Sequence, residues 1–312
     1  MKYVMTEAVA PEGMALLDQS EKVYVAHDAN PANYTEEMKD ADALIVRAAP
    51  AKIVNKAVME AAPQLKVIGR TGVGYDSVDV DAATELGIPV VITPGANNRA
   101  VAEHSLTLML ALSKNLVEAQ VEASKGNWAI RDAHKQFELY GKKAGIIGLG
   151  RIGVNTAKIL KAMNVNVIAY DAFQSEAGKA VADYVELDEL LAKSDFIFLH
   201  CPLFPSTQGI IGKENIAKMK DGVIIINNSR GPLIVEQDLY DALESGKVAA
   251  AAVDVVSTEP IKKDNVLLKA KNCIITPHIS WATKEARERI MNTTAENIKS
   301  VIDGAPQNVV NK

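Results

Sequence analysis

The stretch Gly148-Leu149-Gly150-Arg151-Ile152-Gly153 decides the fold, because it separates two apolar runs of different period. Residues 144–147 before it are short and continuously apolar, which is typical of a buried strand. Residues 151–163 after it carry apolar side chains at helical spacing. The three glycines permit a tight turn, a close approach of a diphosphate to the backbone, and close packing of helix on strand. With the free N–H groups of the helix N-terminus, this turn predicts a nucleotide site.

An acid follows at the distance that a dinucleotide site requires. Asp171 ends the next apolar run, roughly 20 residues after Gly150, where a carboxylate accepts hydrogen bonds from the adenosine ribose hydroxyls. The same charge repels a 2′-phosphate, and residues 172–174 include no arginine that could neutralise one. The sequence therefore predicts NAD rather than NADP. Arg151 and Ile152, which begin the helix, belong to the same predicted site.

The bulk composition excludes several classes of partner. The 312 residues are 48% hydrophobic and 23% charged, with a net charge of −5, which argues against nucleic acid and anionic membranes as partners. The N-terminal residues lack the apolar core and cleavage site of a signal peptide. Cys201 and Cys273 match no metal-ligand spacing. We therefore expect a cytoplasmic protein without a metal.

Short apolar runs alternate with helical patterns along the chain, which predicts parallel α/β architecture. A helical pattern free of Pro and Gly over residues 98–125 predicts one long helix that links two domains. The last helix, over 284–302, has no later strand to return to and is expected to pack on the first domain. This predicts domains of residues 1–98 with 284–312, and of residues 99–283. The predicted strands are 3–5, 23–26, 43–46, 65–68 and 89–92, then 144–147, 165–170, 196–200, 223–227, 249–254 and 273–275, and the helices of the first domain are 11–17, 35–39, 53–61 and 80–86.

Ionisable side chains follow three successive strands of the second series. Arg230 follows the strand 223–227, Asp254 and Glu259 follow the next, and His278 follows the last. Ligands of such sheets lie beyond the carboxyl ends of the strands, so these groups are expected to converge. Each has a structural alternative, since a histidine after a strand is often a hydrogen-bonding group and Arg-Gly and Glu-Pro pairs are common in turns.

The three residues suit hydride transfer to an oxo acid. A nicotinamide supplies the hydride but not the proton, and histidine is the side chain whose charge changes nearest neutral pH. We assign His278 as proton donor and Glu259 as the carboxylate that orients it and favours its charged form. Arg230 would bind the substrate carboxylate through its planar fork. Ser229, His200, Pro202 and Thr207 are assigned to the cofactor site.

The first domain is expected to complete the substrate pocket. Arg70-Thr71-Gly72-Val73-Gly74 follows a predicted strand, and its two glycines expose backbone N–H groups that suit a carboxylate. Arg47 ends the neighbouring strand. Ordinary surface ion pairing is the alternative for Arg47 and Arg70.

Several motifs together carry a family resemblance over nearly the whole chain. They are Leu44 to Arg47, Lys66 to Asp76, Thr93 to Gly95, Ala102 to His104, the glycine turn, Asn228 to Gly231, Asp254 to Pro260, and Thr276 to His278. With these the chain resembles the D-isomer-specific 2-hydroxyacid dehydrogenases. The resemblance implies catalytic roles for Arg230, Glu259 and His278, and carboxylate binding by the backbone of Val73 and Gly74. It also implies Asp254 near the nicotinamide carboxamide.

The same resemblance implies a fold and an assembly. We expect a doubly wound NAD-binding domain inserted in a smaller, flavodoxin-like substrate-binding domain, and a homodimer formed through the long helix. Arg47 and Arg70 resemble phosphoglycerate dehydrogenases, whereas Trp281 after His278 resembles hydroxypyruvate and glycerate dehydrogenases and favours a small substrate. We therefore expect reduction of hydroxypyruvate or glyoxylate, with 3-phosphoglycerate oxidation as the alternative. An NAD-sensing corepressor is the alternative from another class, and turnover of an oxo acid discriminates it.

Overall fold

All strand pairs run parallel, in two separate sheets, throughout the part of the chain that the structure describes. The structure is a computed structural model and describes residues 1–6, 22–25, 30–47, 52–132 and 136–311. Contacts divide it into two units, residues 1–97 with 282–312, and residues 98–281. Parallel strands are buried on both faces, which explains why a run such as Val223–Asn227 is apolar almost throughout and buried at every position. The predicted α/β class is confirmed.

The strands, in chain order, are β1 (Lys2–Met5), β2 (Lys22–Val25), β3 (Ala43–Val46), β4 (Val67–Arg70), β5 (Val90–Val91), β6 (Lys143–Ile147), β7 (Asn166–Tyr170), β8 (Asp183–Tyr184), β9 (Phe196–Leu199), β10 (Val223–Asn227), β11 (Val248–Val253) and β12 (Cys273–Ile275). The α-helices are α1 (Thr35–Met38), α2 (Lys56–Glu60), α3 (Val80–Glu85), α4 (Asn98–Ser113), α5 (Leu116–Ser124), α6 (Arg151–Ala162), α7 (Glu176–Lys179), α8 (Leu187–Lys193), α9 (Lys213–Lys218), α10 (Glu236–Ser245) and α11 (Lys284–Ile302). Short 3₁₀ helices lie at Pro31–Tyr34, Trp128–Asp132, Gly231–Leu233 and Val266–Lys269.

The first unit is built on five strands in the order β2-β1-β3-β4-β5. This is the flavodoxin-like order of a doubly wound sheet. On one face, Ala295 and Ile298 of α11 pack with Tyr3 and Val67 of the sheet. The opposite face is covered by apolar side chains of α1, α2 and α3. The first unit thus joins both ends of the chain in one core.

The second unit is built on seven strands in the order β12-β11-β10-β9-β6-β7-β8. Strands β6 to β11 have the order of a dinucleotide fold, and β12 is one further strand at the edge. The sequence predicts six strands here, and that number is wrong because β8 is missed. This strand has two residues, the acid Asp183 and Tyr184, and pairs only with β7, so it leaves no apolar run to recognise.

Two further predictions of elements are wrong. The helix predicted over 98–125 is two helices, α4 and α5, because Asn115 takes a left-handed conformation with a φ of 48°. Asparagine tolerates that conformation better than most residues, so no Gly or Pro is needed to break the helix. The strand predicted over 65–68 is β4, which is set two residues later by its pairing of Ala43 with Val67 and of Val46 with Arg70.

Some predictions fall on other parts of the chain. The predicted helix over 11–17 and residue 26 of the second predicted strand lie outside the described residues. In the ranges that are described, no helix combines the length and the apolar character needed to cross a membrane.

Burial raises the pKa of both thiols, Cys201 and Cys273, to about 12, so neither is an ionised, reactive group near neutral pH.

Candidate active site

The glycine turn joins β6 to α6, and each glycine has a distinct steric reason. Gly148 has a φ of +95°, and a side chain there would come within 2.4 Å of the backbone nitrogen of Cys201. A side chain on Gly153 would come within 2.3 Å of the Gly148 carbonyl oxygen. By contrast, a side chain on Gly150 would meet no atom within 4 Å. The space above Gly150 is therefore open to a ligand, and α6 begins there with Gly150 as its N-cap.

Asp171 stands at the end of β7 and is bound to the glycine turn. Its Oδ2 accepts a hydrogen bond of 2.6 Å from the N–H of Leu149, and its Oδ1 accepts one of 2.9 Å from the N–H of Phe173. The carboxylate is half-buried, so solvent or a ligand reaches it. A charged acceptor beside the open turn fits the ribose end of NAD. Arg151 and Ile152 would offer their N–H groups to the diphosphate.

We expect Asp171→Ala to raise KM for NADH roughly tenfold or more, because hydrogen bonds to a charged group each contribute about 1.5–3 kcal/mol. The loss also removes the repulsion of a 2′-phosphate, so the preference for NADH over NADPH should narrow. Steady-state kinetics with both cofactors measures this.

Glu176→Ala is the matched control, because Glu176 is an exposed acid that pairs with Lys179 at the start of the next helix. If Asp171→Ala weakened the binding of NADH and of NADPH equally, the carboxylate would only stabilise the turn and would not distinguish the two cofactors.

Ser229 and Thr207 brace the loops at this edge of the sheet. Ser229 Oγ donates to the carbonyl of Cys201 at 2.5 Å. Thr207 Oγ1 donates to the carbonyl of Pro202 at 2.7 Å and accepts from the N–H of Phe204 at 2.8 Å. Pro202 itself is exposed. Contact of these residues with the cofactor stays a prediction.

His200 follows β9 and packs against α6. Its Nε2 lies 3.0 Å from Thr156 Oγ1 of α6, and its ring stacks on Phe198 at a centroid distance of 6.4 Å. Burial lowers the pKa of His200 to about 4, so the ring is neutral near pH 7. These contacts join β9 to α6, and contact of His200 with the cofactor stays a prediction.

The groups that follow three neighbouring strands meet at one edge of this sheet. Asn227 of β10 pairs with Val253 of β11, which pairs with Ile275 of β12, so the three strands end level. His278 follows β12, and its Nδ1 lies 2.7 Å from Glu259 Oε2. Both side chains stay partly exposed, at 25% and 37%. The structure therefore brings the predicted acid–histidine pair into direct contact and leaves it accessible.

Arg230 lies at the end of β10, next to the segment that carries Glu259. A side chain on Gly231 would come within 2.0 Å of the backbone of Val256, so the backbones after Arg230 and before Glu259 are in contact. The Arg230 guanidinium donates to the carbonyl of Ser229 at 2.7 Å, and Asn227 Nδ2 donates to the Arg230 carbonyl at 2.9 Å. The loop that bears Arg230 is thus anchored to the strand end.

Asp254 is fully buried and holds the loop that carries His278. Its Oδ1 accepts hydrogen bonds from Thr276 Oγ1 and from the N–H of Ile279, at 2.6 and 2.9 Å. Its Oδ2 accepts one of 2.9 Å from the N–H of Ser280. Burial alone would raise the pKa of Asp254, but His104, whose Nε2 lies 3.6 Å from Oδ1, and the hydrogen bonds from Thr276, Ile279 and Ser280 lower it below its usual value. The carboxylate is therefore charged and fully engaged, and its predicted contact with the nicotinamide stays a prediction.

Trp281 is fixed beside the same loop. Its Nε1 donates a hydrogen bond of 2.9 Å to the carbonyl of His278. The sequence predicts a bulky group near the site but not this anchor. The sequence also does not predict the roles of Asp254 and Thr276 in holding the loop, because the partners are about 20 residues apart and no spacing rule connects them.

In the first unit, the predicted substrate-binding residues lie at neighbouring strand ends. Arg47 follows β3, and Arg70 is the last residue of β4, buried, with its guanidinium donating to the Thr71 carbonyl. The prediction that Arg70 follows its strand is therefore wrong, because the strand ends two residues later. Gly72 has a φ of +145°, and Val73 and Gly74 after it are partly exposed. Binding of a carboxylate by these N–H groups stays a prediction.

Comparisons with known proteins agree with this geometry. Residues 106–280 match the family model described as D-isomer specific 2-hydroxyacid dehydrogenase, NAD binding domain. A hydroxypyruvate reductase of Blautia hydrogenotrophica is 51% identical over 88% of this chain and 86% of its own. A D-3-phosphoglycerate dehydrogenase of Methanocaldococcus jannaschii is 44% identical over all of this chain, which spans 59% of that protein. The D-lactate dehydrogenase of Aquifex aeolicus, crystallised with NAD and lactic acid, superposes with a TM-score of 0.88, at 30% identity over 100% of this chain and 99% of its own.

Proposed function

Because this chain belongs to the D-isomer specific 2-hydroxyacid dehydrogenase family and carries its NAD-binding domain, we propose that it reduces hydroxypyruvate, and glyoxylate more slowly, with NADH. The products are D-glycerate and glycolate. The observation that carries the proposal is the contact of 2.7 Å between His278 and Glu259, at the carboxyl edge of the sheet whose glycine turn fits a dinucleotide.

Each residue has one task in this reaction. NADH, when bound, supplies the hydride that reaches C2 of the oxo acid. Glu259 engages Nδ1 of His278, which leaves Nε2 as the atom that gives its proton to the carbonyl oxygen. Arg230 binds the substrate carboxylate and polarises the carbonyl. The N–H groups of Val73 and Gly74, after β4 of the first unit, suit a carboxylate as well.

Trp281 supports a small substrate. Its indole is fixed to the carbonyl of His278, so the ring is held next to the proton donor. A bulky apolar ring there offers a phosphate no charge. The relative with 51% identity is named a hydroxypyruvate reductase, in agreement with this choice.

A second substrate is favoured by one observation in the first unit. Arg47 and Arg70 lie at the ends of adjacent strands, where two cations suit a phosphorylated acid. Phosphohydroxypyruvate, the oxo acid related to 3-phosphoglycerate, is therefore the alternative substrate, and relatives named D-3-phosphoglycerate dehydrogenase match the whole chain.

A substrate panel tests the choice. We expect kcat/KM with NADH to be highest for hydroxypyruvate, lower for glyoxylate, and at least tenfold lower for phosphohydroxypyruvate. A preference for phosphohydroxypyruvate would reverse the assignment. Tight NADH binding without turnover of any oxo acid in the panel would favour a ligand-sensing protein such as a corepressor.

We also propose that the protein is a homodimer formed through α5, and that it works in the cytoplasm. None of the residues of α5 is buried, although Leu116, Val117 and Val121 are apolar and 47–60% exposed. Apolar side chains grouped on an exposed helix mark an interaction surface. The free thiols of Cys201 and Cys273 suit a reducing compartment.

Val117→Glu with Val121→Glu is expected to convert the dimer to monomer, because two charges would be buried in an apolar contact. Light scattering after size-exclusion chromatography measures the mass. Leu86→Glu is the matched control, since Leu86 is also an exposed apolar residue but follows α3 in the first unit, and it should leave the mass unchanged. A monomeric wild type, or a double variant that stays dimeric, would contradict the proposed surface.

A further inference from the structure

We propose that His104 is a positioning residue for His278, and that it acts through Thr276 and Asp254 on the loop of residues 276–281. This inference rests on the proposed function for its catalytic meaning, but its structural part stands on contacts within the second unit. His104 lies on α4, far from His278 along the chain, and its Nε2 is 3.3 Å from Thr276 Oγ1 and 3.6 Å from Asp254 Oδ1.

The hydrogen bonds fix the direction in which each proton points. Thr276 has one hydroxyl proton, and it is donated to Asp254 Oδ1 at 2.6 Å. The hydroxyl oxygen can then only accept from His104, so Nε2 of His104 carries a proton and donates it. The order is therefore His104 Nε2–H to Thr276 Oγ1, and Thr276 Oγ1–H to Asp254. His104 thus holds the Thr276 hydroxyl, which donates to a buried carboxylate that already accepts two N–H groups of the loop.

The conformation of His278 explains why the loop needs this support. His278 has a φ of 54°, in the left-handed region that side chains other than glycine rarely adopt. Its N–H donates to the carbonyls of Asp254 and Thr276, at 2.8 and 3.0 Å. A strained conformation persists only where the surrounding structure over-determines it, and such residues cluster at active sites. The hydrogen bonds among Asp254, Thr276 and His104 hold the loop in this conformation.

His104 also has charged and polar neighbours that a packing role does not need. Its side chain is 17% exposed, and Asp254 facing it is fully buried and charged. Buried polar networks of this kind define one arrangement when every member is satisfied. If His104 only filled space, an apolar residue of similar volume would serve equally well. A packing role needs only the volume of His104, whereas a positioning role needs a hydrogen-bond donor at the position of Nε2.

Three substitutions separate these roles. His104→Gln places an amide N–H near the position of Nε2, His104→Asn carries the same amide too far back to reach Thr276, and His104→Leu fills the space without a donor. We expect kcat for hydroxypyruvate to fall roughly ten- to a hundredfold in the Leu and Asn variants, with KM for NADH within about threefold. The Gln variant should recover most of the loss. Equal kcat in the Gln and Leu variants would overturn the proposal.

Hydrogen exchange tests the structural part without any substrate. The N–H groups of Ile279 and Ser280 donate hydrogen bonds to Asp254. Their hydrogens should exchange at least severalfold faster in the Leu and Asn variants than in the wild type or the Gln variant. Exchange that is unchanged in the Leu variant would overturn the proposal whatever the activity. If the wild type reduced no oxo acid but the exchange pattern held, the proposed function would fail while the positioning of the loop by His104 stood.

Discussion

His278→Gln is expected to lower kcat for reduction of hydroxypyruvate by about 10²–10⁴-fold, the range that general acid catalysis contributes. Glutamine keeps a hydrogen-bonding group near Glu259 but cannot deliver a proton to the carbonyl oxygen. The affinity for NADH should stay unchanged, because the glycine turn and Asp171 lie at other strand ends. Stopped-flow kinetics of NADH oxidation and a fluorescence titration of NADH measure the two quantities.

The pH dependence gives an independent check on the same role. Reduction by the wild type should slow as the pH rises, because His278 must be protonated to act. Glu259 lies 2.7 Å from the ring, so Glu259→Gln should lower kcat because the ring loses the carboxylate that orients it. A His278→Gln enzyme with kcat close to that of the wild type would exclude the residue as proton donor.

Arg230→Lys should lower kcat/KM by about a hundredfold, although it preserves the charge. A guanidinium binds a carboxylate through two parallel N–H groups, and an ammonium has no such fork. Most of the effect should be a higher KM for the oxo acid, with a smaller decrease in kcat from weaker polarisation of the carbonyl. Steady-state kinetics with varied hydroxypyruvate separates the two.

Arg131→Lys provides the matched control, because Arg131 is exposed and forms a surface pair with Asp132. Surface pairs of this kind contribute little, so the control should behave as the wild type. If Arg230→Lys matched the control, the carboxylate of the substrate would be bound by other groups.

The sequence predicts those parts of the fold that depend on continuous apolar runs. The strands Val223–Asn227 and Cys273–Ile275 fall at their predicted bounds, because each is, apart from Asn227, a continuous apolar run, fully buried in the first strand and partly buried in the second. The two-residue strand at Asp183 lacks such a run. The break at Asn115 depends on one backbone conformation that asparagine can adopt but does not require.

The same distinction holds for the site. Glu259 and His278 can be predicted because polar groups after neighbouring parallel strands reach one edge of a sheet. The hydrogen bonds that hold the loop of His278 in place cannot be predicted in this way, since they depend on a carboxylate, a hydroxyl and an imidazole from three separate segments. The packing of His200 against Thr156 is hidden for the same reason, because only the fold decides which helix covers the end of β9.

Transfer of deuterium from NADH labelled at the reactive C4 position tests the central claim most directly. When the wild type reduces hydroxypyruvate with this cofactor, mass spectrometry and chiral analysis should show D-glycerate with one deuterium at C2. The same measurement on His278→Gln should show the label in the same position but a far smaller yield. Unlabelled product would contradict direct hydride transfer. Product of the L configuration would contradict the proposed binding of the carbonyl between Arg230 and His278.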